Sequence, residues 1–322
     1  MSPILQLEIN EIPWRILNHY RPQCRNLRAF FDGAKELTTA AVDEGELSPW
    51  VTWPTLHRGM PNTRHRIYNL GQDPSTFQGT PIWDEYLARG HSVGIFGSMQ
   101  SWPPKDPGPG GFWVPDTFAH DERTIPSYVE PLQRFNLDQV GHNRRVVVGS
   151  ALGSALQPTF FASLVRSGVR PRTLLRLARQ LVDERRDASF RARRPVFQAV
   201  LFWDVFKHLF DPVNPPAFSA FFTNHVAGVM HRYWNHVYPE DFPRQLQPKE
   251  RVHHRTLAFA MSVLDDMLGD VLGWMRRNPD LTVVFATSMG QGPVYRLGHH
   301  GDVAVVQDTV RLLLALGVAR ER

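Results

Sequence analysis

Four short apolar runs in this chain stop abruptly on residues that can move protons or donate hydrogen bonds. They end at Asn10-Glu11, Ser98-Met99-Gln100, Thr223-Asn224-His225 and Ser288-Met289-Gly290-Gln291. An unpaired carboxylate in an apolar setting costs several kcal/mol, so Glu11 is expected to meet an arginine, a histidine or a metal. Asn224 and His225 could fix a substrate hydroxyl or act as acid and base, because histidine titrates near neutral pH. Equally, Thr or Asn ahead of VAGVMHRYW could simply cap a helix. Ser288 and Gln291 suit hydrogen bonding to an oxyanion or a sugar, and Gly290 would let backbone approach a ligand closely.

Such residues become neighbours only if the runs are strands of one sheet. Each run, ILQLEINEI (4–12), HSVGIFGSMQ (91–100), AFSAFFTNH (217–225) and LTVVFATSMGQ (281–291), is read as a strand ending in a polar loop. Amphipathic segments such as PIWDEYLARG, 255–277 and 303–316 are read as the helices between or after them. That rhythm predicts a three-layer α/β/α fold with a mostly parallel sheet, in which ligands bind beyond the carboxyl ends of the strands. The Pro-, Gly- and Trp-rich stretch 102–126 reads as a long loop or lid, whose Trp102 and Trp113 could stack on a sugar or nucleotide ring. From about 128 to 209 the pattern is helical. Residues 103–210 are therefore expected to form a loop-rich and helical insertion within a single domain spanning 1–322. The stripe Trp203, Phe206, Phe210 reads as core.

Composition narrows the function classes. A single cysteine, Cys24, excludes an internal disulfide and a cysteine-based zinc site. Acidic residues in MSPILQLEINEIPW do not suit a signal peptide and no apolar stretch approaches membrane-spanning length, so a cytoplasmic protein without a membrane partner is expected. The formal charge of +5 comes largely from arginines between Arg166 and Arg194. That run reads as a solvated helical face partly neutralised by Asp183, Glu184 and Asp187, and it lacks the interleaved aromatics of a nucleic-acid groove.

Two stretches, PWVTWPTLHRGMPNTRHRIYNLGQ (49–72) and VAGVMHRYW (226–234), resemble the alkaline phosphatase superfamily of phosphatases, phosphodiesterases and sulfatases. The first is similar to that family's nucleophile helix and following turn, with Arg58-Gly59-Met60-Pro61 and His65 in the corresponding places. TPIWDEYLARGHSVGIFGS (80–98) resembles the helix and strand that come next. The family's chemistry is a two-metal clamp on a phosphoryl or sulfuryl group. The resemblance implies Thr52, in Thr52-Trp53-Pro54, at the nucleophile position, and Glu11, His231 and His300 as metal ligands. This chain departs from the pattern at three places: Asn10-Glu11 replaces the first-strand Asp, Ala227 stands where an Asp precedes His231, and Ser288-Met289-Gly290 replaces Asp-His-Gly. Proline, Pro49, occupies the usual nucleophile spacing. His231 and His300 could ligate one metal or hydrogen-bond beside a cleft.

The expectation is a divergent enzyme acting on a phosphorylated or sulfated small molecule or glycan, with at most one divalent ion, zinc or manganese. Its pocket would comprise Asn10, Glu11, Thr52, Asn224, His225, His231, Ser288, Gln291 and His300. A non-hydrolytic ligand-binding relative and a metal-independent transferase using His225 as base are the alternatives. His57, on the helix that carries Thr52, is expected at the surface.

Overall fold

The computed structural model describes residues 2–143, 158–244, 246–293, 306 and 308–318. Backbone contacts group the chain into two units, Met1–Gly292 and Pro293–Arg322. The first unit holds five strands: β1 (Ile4–Ile9), β2 (Val93–Phe96), β3 (Phe112–Val114), β4 (Phe218–Thr223) and β5 (Thr282–Ala286). They form one all-parallel sheet in the order β3-β2-β4-β1-β5. Its helices are α1 (Trp14–Tyr20), α2 (Arg25–Asp32), α3 (Pro49–Arg58), α4 (Asn62–His65), α5 (Ile82–Ala88), α6 (Glu130–Asn143), α7 (Pro158–Arg166), α8 (Pro171–Arg186), α9 (Arg194–Leu209), α10 (His225–Val237) and α11 (His254–Arg277). In the second unit, α12 (Thr309–Ala315) starts at Asp308, whose carboxylate accepts the Arg311 N–H. Residues 303–305 of the expected final helix lie outside the described residues.

Successive strand side chains point to opposite faces, and this alternation sorts the layers. Leu5, Leu7 and Ile9 face the larger core, with Phe96, Phe221 and Phe285 from neighbouring strands. There Phe31 of α2 packs on Phe285, and Trp203 and Phe206 of α9 pack on Phe221. The opposite face carries Ile4, Gln6 and Glu8 beside Phe218 and Phe222. It is covered by α3 and α5, through Trp53 on Phe222 and Tyr86 on Phe218. The sheet with helices on both faces is the expected three-layer α/β/α fold.

The sequence expectation needs one correction within the Trp-rich stretch. Phe112-Trp113-Val114 is not loop but an edge strand parallel to β2, so the helical region lies between β3 and β4. Three residues are too few to show periodicity, and the surrounding glycines and prolines mask the strand. Trp113 is accordingly buried and donates to the Ser101 carbonyl, while Trp102 stacks on His120. The stripe Trp203, Phe206, Phe210 is core as expected.

A second correction concerns His57. Rather than lying at the surface, it is wholly enclosed between α3 and β1, where its Nε2 sits 2.7 Å from Glu8 Oε1 and both side chains are 0% exposed. Gln6 donates to the same oxygen at 2.8 Å. Trp53 and Trp83 lie against the imidazole. Breaking such a pair leaves a charged or polar group desolvated without its partner, which costs more than the net worth of the bond. Glu8→Ala is expected to destabilise the protein by about 3 kcal/mol or more in urea unfolding. A loss below about 1 kcal/mol would show that α3 is anchored without this pair.

Candidate functional site

The exit ends of β1, β4 and β5 converge with the first turns of α3 and α10. At the end of β1, Asn10 donates from Nδ2 to Asn224 Oδ1 at 2.8 Å and to Glu11 Oε1 at 3.2 Å. Its own Oδ1 accepts the Trp53 indole N–H at 2.8 Å. Asn10 thus uses donor and acceptor to tie β1, β4 and α3 together. At the end of β5, Ser288 accepts from the Thr52 hydroxyl at 2.8 Å.

Glu11 turns the chain sharply, at φ 53°. A non-glycine residue in the left-handed region costs of order 1–3 kcal/mol and persists where the surroundings fix it. The turn directs its carboxylate to His231 of α10, with Oε2 2.8 Å from Nε2. On the other side of the ring, Nδ1 lies 3.2 Å from Gln291 Nε2. A neutral imidazole with its proton on Nε2 satisfies both contacts, donating to Glu11 and accepting from Gln291. On protonation, the Gln291 amide would need to turn and offer its oxygen to the new N–H. Glu11 is buried, 7% exposed, whereas His231 is 54% exposed. The result is a histidine oriented by an enclosed carboxylate and open to solvent, the arrangement of a general acid or base.

Of the residues singled out in sequence, the structure brings Asn10, Glu11, Thr52, Asn224, His231, Ser288 and Gln291 to this one edge. Glu11 has the histidine partner its burial demands. Asn224 stands at the N-cap of α10, but its side chain makes no capping bond and turns to Asn10. His300 lies outside the described residues.

His225 does not face the hollow. Six positions before His231 on α10, it lies about 120° away around the helix axis. It is buried against α11, with Nδ1 2.8 Å from the Thr223 hydroxyl and Nε2 3.2 Å from the Ala260 carbonyl. Desolvation pushes its pKa down to about 4, against the smaller upward pull of the Ala260 carbonyl. A ring with both nitrogens engaged and no path to solvent is a strut between helices, which corrects its expected role as a base.

Sequence reasoning missed Trp53, which orients Asn10, and Asp116, just beyond β3. Asp116 is buried and accepts the N–H groups of Ser101 and Phe118, yet burial outweighs those bonds and raises its carboxyl to about 6. No spacing signal marks it. Trp53 was legible only as an aromatic beside Thr52.

The metal chemistry implied by the sequence resemblance requires several carboxylates and imidazoles converging at about 2.0–2.2 Å on one point. Among the described residues, no group of three or more His, Cys, Asp or Glu is placed to do so. Glu11 and His231 direct their facing atoms at each other, and Asn10 and Asn224 are bonded together. The described residues do not fit a two-metal centre. No protein-family model, curated protein or solved structure matches the chain.

Two outcomes are expected. Glu11→Gly removes the left-handed strain but also the buried Asn10–Glu11 hydrogen bond and the half-exposed Glu11–His231 contact, so it is expected to change stability by no more than about 1 kcal/mol in urea unfolding. A loss above about 2 kcal/mol would show instead that the carboxylate holds the strand ends together. For His225, the folded pKa lies below the ordinary 6.5, so the unfolded chain takes up the proton first as pH falls. Its contribution is present above pH 6.5 and is lost towards pH 4, by about 3 kcal/mol. Asp116, raised from 3.8, acts in the opposite direction over part of that window but is common to wild type and variant. The stability difference between wild type and His225→Gln is therefore expected to shrink by that amount between pH 7 and 4. An unchanged difference would show that His225 titrates normally.

Proposed function

We propose that the chain is a divergent relative of the alkaline phosphatase superfamily that binds a small molecule or glycan carrying a phosphate or sulfate group and catalyses acid–base chemistry on its ester bond. The observation that carries this is the Glu11–His231–Gln291 contact at the exit edge of a parallel sheet. An anionic group would be favoured there because α10 has no side-chain cap and presents N-terminal N–H groups and its positive dipole end. α3 contributes mainly its dipole, since Pro49 has no N–H and the Val51 and Thr52 N–H groups are bonded to the Ser48 carbonyl. The Ser288 hydroxyl, which accepts from Thr52, keeps its own proton as one neutral donor. Thr52 has no histidine or carboxylate within hydrogen-bonding distance among the described residues, which favours direct attack by water or an acceptor hydroxyl over a covalent intermediate on Thr52.

In hydrolysis, His231 would take the proton of the attacking water through Nδ1 as the oxygen bonds to phosphorus or sulfur, with the Gln291 amide turning aside. Glu11 would stabilise the imidazolium, and the departing alkoxide would recover that proton. An acceptor hydroxyl in place of water makes the same step a transfer. Glu11 and His231 could share at most one divalent ion, zinc or manganese, in place of their mutual contact, and metal analysis of the purified protein tests it.

The kinetic test uses 4-nitrophenyl phosphate, bis(4-nitrophenyl) phosphate and 4-nitrophenyl sulfate. His231→Ala and Glu11→Gln are each expected to lower kcat by about 10²–10⁴-fold without lowering the unfolding midpoint. Wild-type turnover in both variants would remove the site. Absence of turnover in wild type, with phosphate or sulfate binding that depends on His231, would favour the non-hydrolytic relative instead.

A further inference from the structure

A cavity of about 280 Å³ opens among α8, α9 and α11, away from Glu11 and His231. Its lining comes from the first two turns of α8, the middle and second half of α9 and the middle of α11. The volume is near the lower end for small-molecule sites. Val200, Val263, Met267 and the Trp203 ring form its apolar walls.

Lys207 is 6% exposed and pairs with Asp204 at 3.2 Å and Asp270 at 2.9 Å. An ammonium has three donors, so one remains after these two contacts. Asp270 also accepts the Trp203 indole N–H, and Asp204 accepts the Arg170 backbone N–H. Across the mouth, Arg176 reaches Asp266 at 3.4 Å. Arg172 also lines the cavity, on the first turn of α8, and has no hydrogen bond or ion pair among the described residues. The lining thus balances three cations, Arg172, Arg176 and Lys207, against three carboxylates, Asp204, Asp266 and Asp270, but Lys207 is shared by two of them and Arg172 is left without a partner among the described residues, beside the uncapped N-terminus of α8.

From an unpaired guanidinium above apolar walls, we infer that this cavity binds a small organic monoanion, a carboxylate on a flat or branched apolar body. The carboxylate pairs with the Arg172 guanidinium, which matches its geometry in a bidentate contact. The apolar body lies along Trp203, Val263 and Met267. Arg176, released from Asp266, supplies a second donor. This site is independent of the acid–base chemistry proposed for the strand ends.

Titration calorimetry of the full chain with sodium benzoate and sodium isovalerate tests the inference, with benzyl alcohol as one control and inorganic phosphate, measured on the full-length His231→Ala variant so that the strand-end site does not contribute, as the other. One-to-one binding of a carboxylate is expected with a dissociation constant of about 1 mM or tighter. Benzyl alcohol, lacking the charge, and phosphate, lacking the apolar body, are each expected to bind at least about tenfold more weakly. Arg172→Gln is expected to weaken benzoate binding by about tenfold or more and to leave the unfolding midpoint unchanged, because the side chain is exposed and unpaired. Failure of both carboxylates to bind at about 10 mM would overturn the inference. So would benzoate binding that is indifferent to Arg172→Gln, or phosphate binding as tight as benzoate.

Discussion

Everything at the strand ends depends on a contact buried two residues upstream of Asn10. Glu8 and His57 meet between β1 and α3 where water is excluded, and Gln6 donates to the same carboxylate oxygen, while Glu8 Oε2 and His57 Nδ1 are buried without a hydrogen-bond partner among the described residues. In apolar surroundings a charge-assisted hydrogen bond tolerates little displacement, because the alternative to making it is an unsolvated polar group. The pair therefore fixes the axial position and rotation of α3 against the sheet. Trp53 lies four residues before His57, about one turn away, and Thr52 a further residue back. Given that rotation, the Trp53 indole meets Asn10 and the Thr52 hydroxyl meets Ser288. A parallel sheet could seal this face with leucine and valine. Polar residues specify a register that apolar packing would leave loose.

The exit edge is then assembled by opposing requirements. β1 must end in a turn abrupt enough to return a carboxylate towards α10, and Glu11 adopts a left-handed conformation to do so. Asn10, immediately before it, distributes three hydrogen bonds among Asn224, Glu11 and Trp53, so the strained residue is held on both sides. Strain retained at a polar cluster in an otherwise regular sheet is the pattern expected where geometry serves chemistry more than stability.

Much of this was legible in the sequence, and the failures have physical causes. Abrupt polar ends on apolar runs identified β1, β2, β4 and β5 and placed Asn10, Glu11, Asn224, Ser288 and Gln291 at one edge, because a parallel sheet brings its carboxyl ends together regardless of chain separation. The demand that a buried Glu11 find a partner was correct, although a histidine, a cation and a metal were equivalent until the fold placed His231 there. β3 escaped because a three-residue edge strand carries no periodicity. The Glu8–His57 pair had a signal that was passed over: Gln6 and Glu8 occupy alternate positions of an apolar run and so must share a face, which calls for a polar group opposite. His225 was misassigned because residue type and position at a strand end say nothing about which way a side chain on the following helix points.

The two histidines of α10 show how far environment outweighs residue type. Their chemical identity is the same and they are less than two turns apart, yet the helix carries one into the contact with α11 and the other to the surface above Glu11. At His225 the low dielectric opposes charging, and the two hydrogen bonds it makes are satisfied by a neutral ring. At His231 solvent reaches the ring, and the Glu11 carboxylate stands 2.8 Å from Nε2. A protonation change at His225 would disrupt the packing of α10 on α11. The same change at His231 requires only that the Gln291 amide rotate. A buried strut and a solvent-facing histidine can therefore occupy one helix, and the first keeps the second aligned with Glu11.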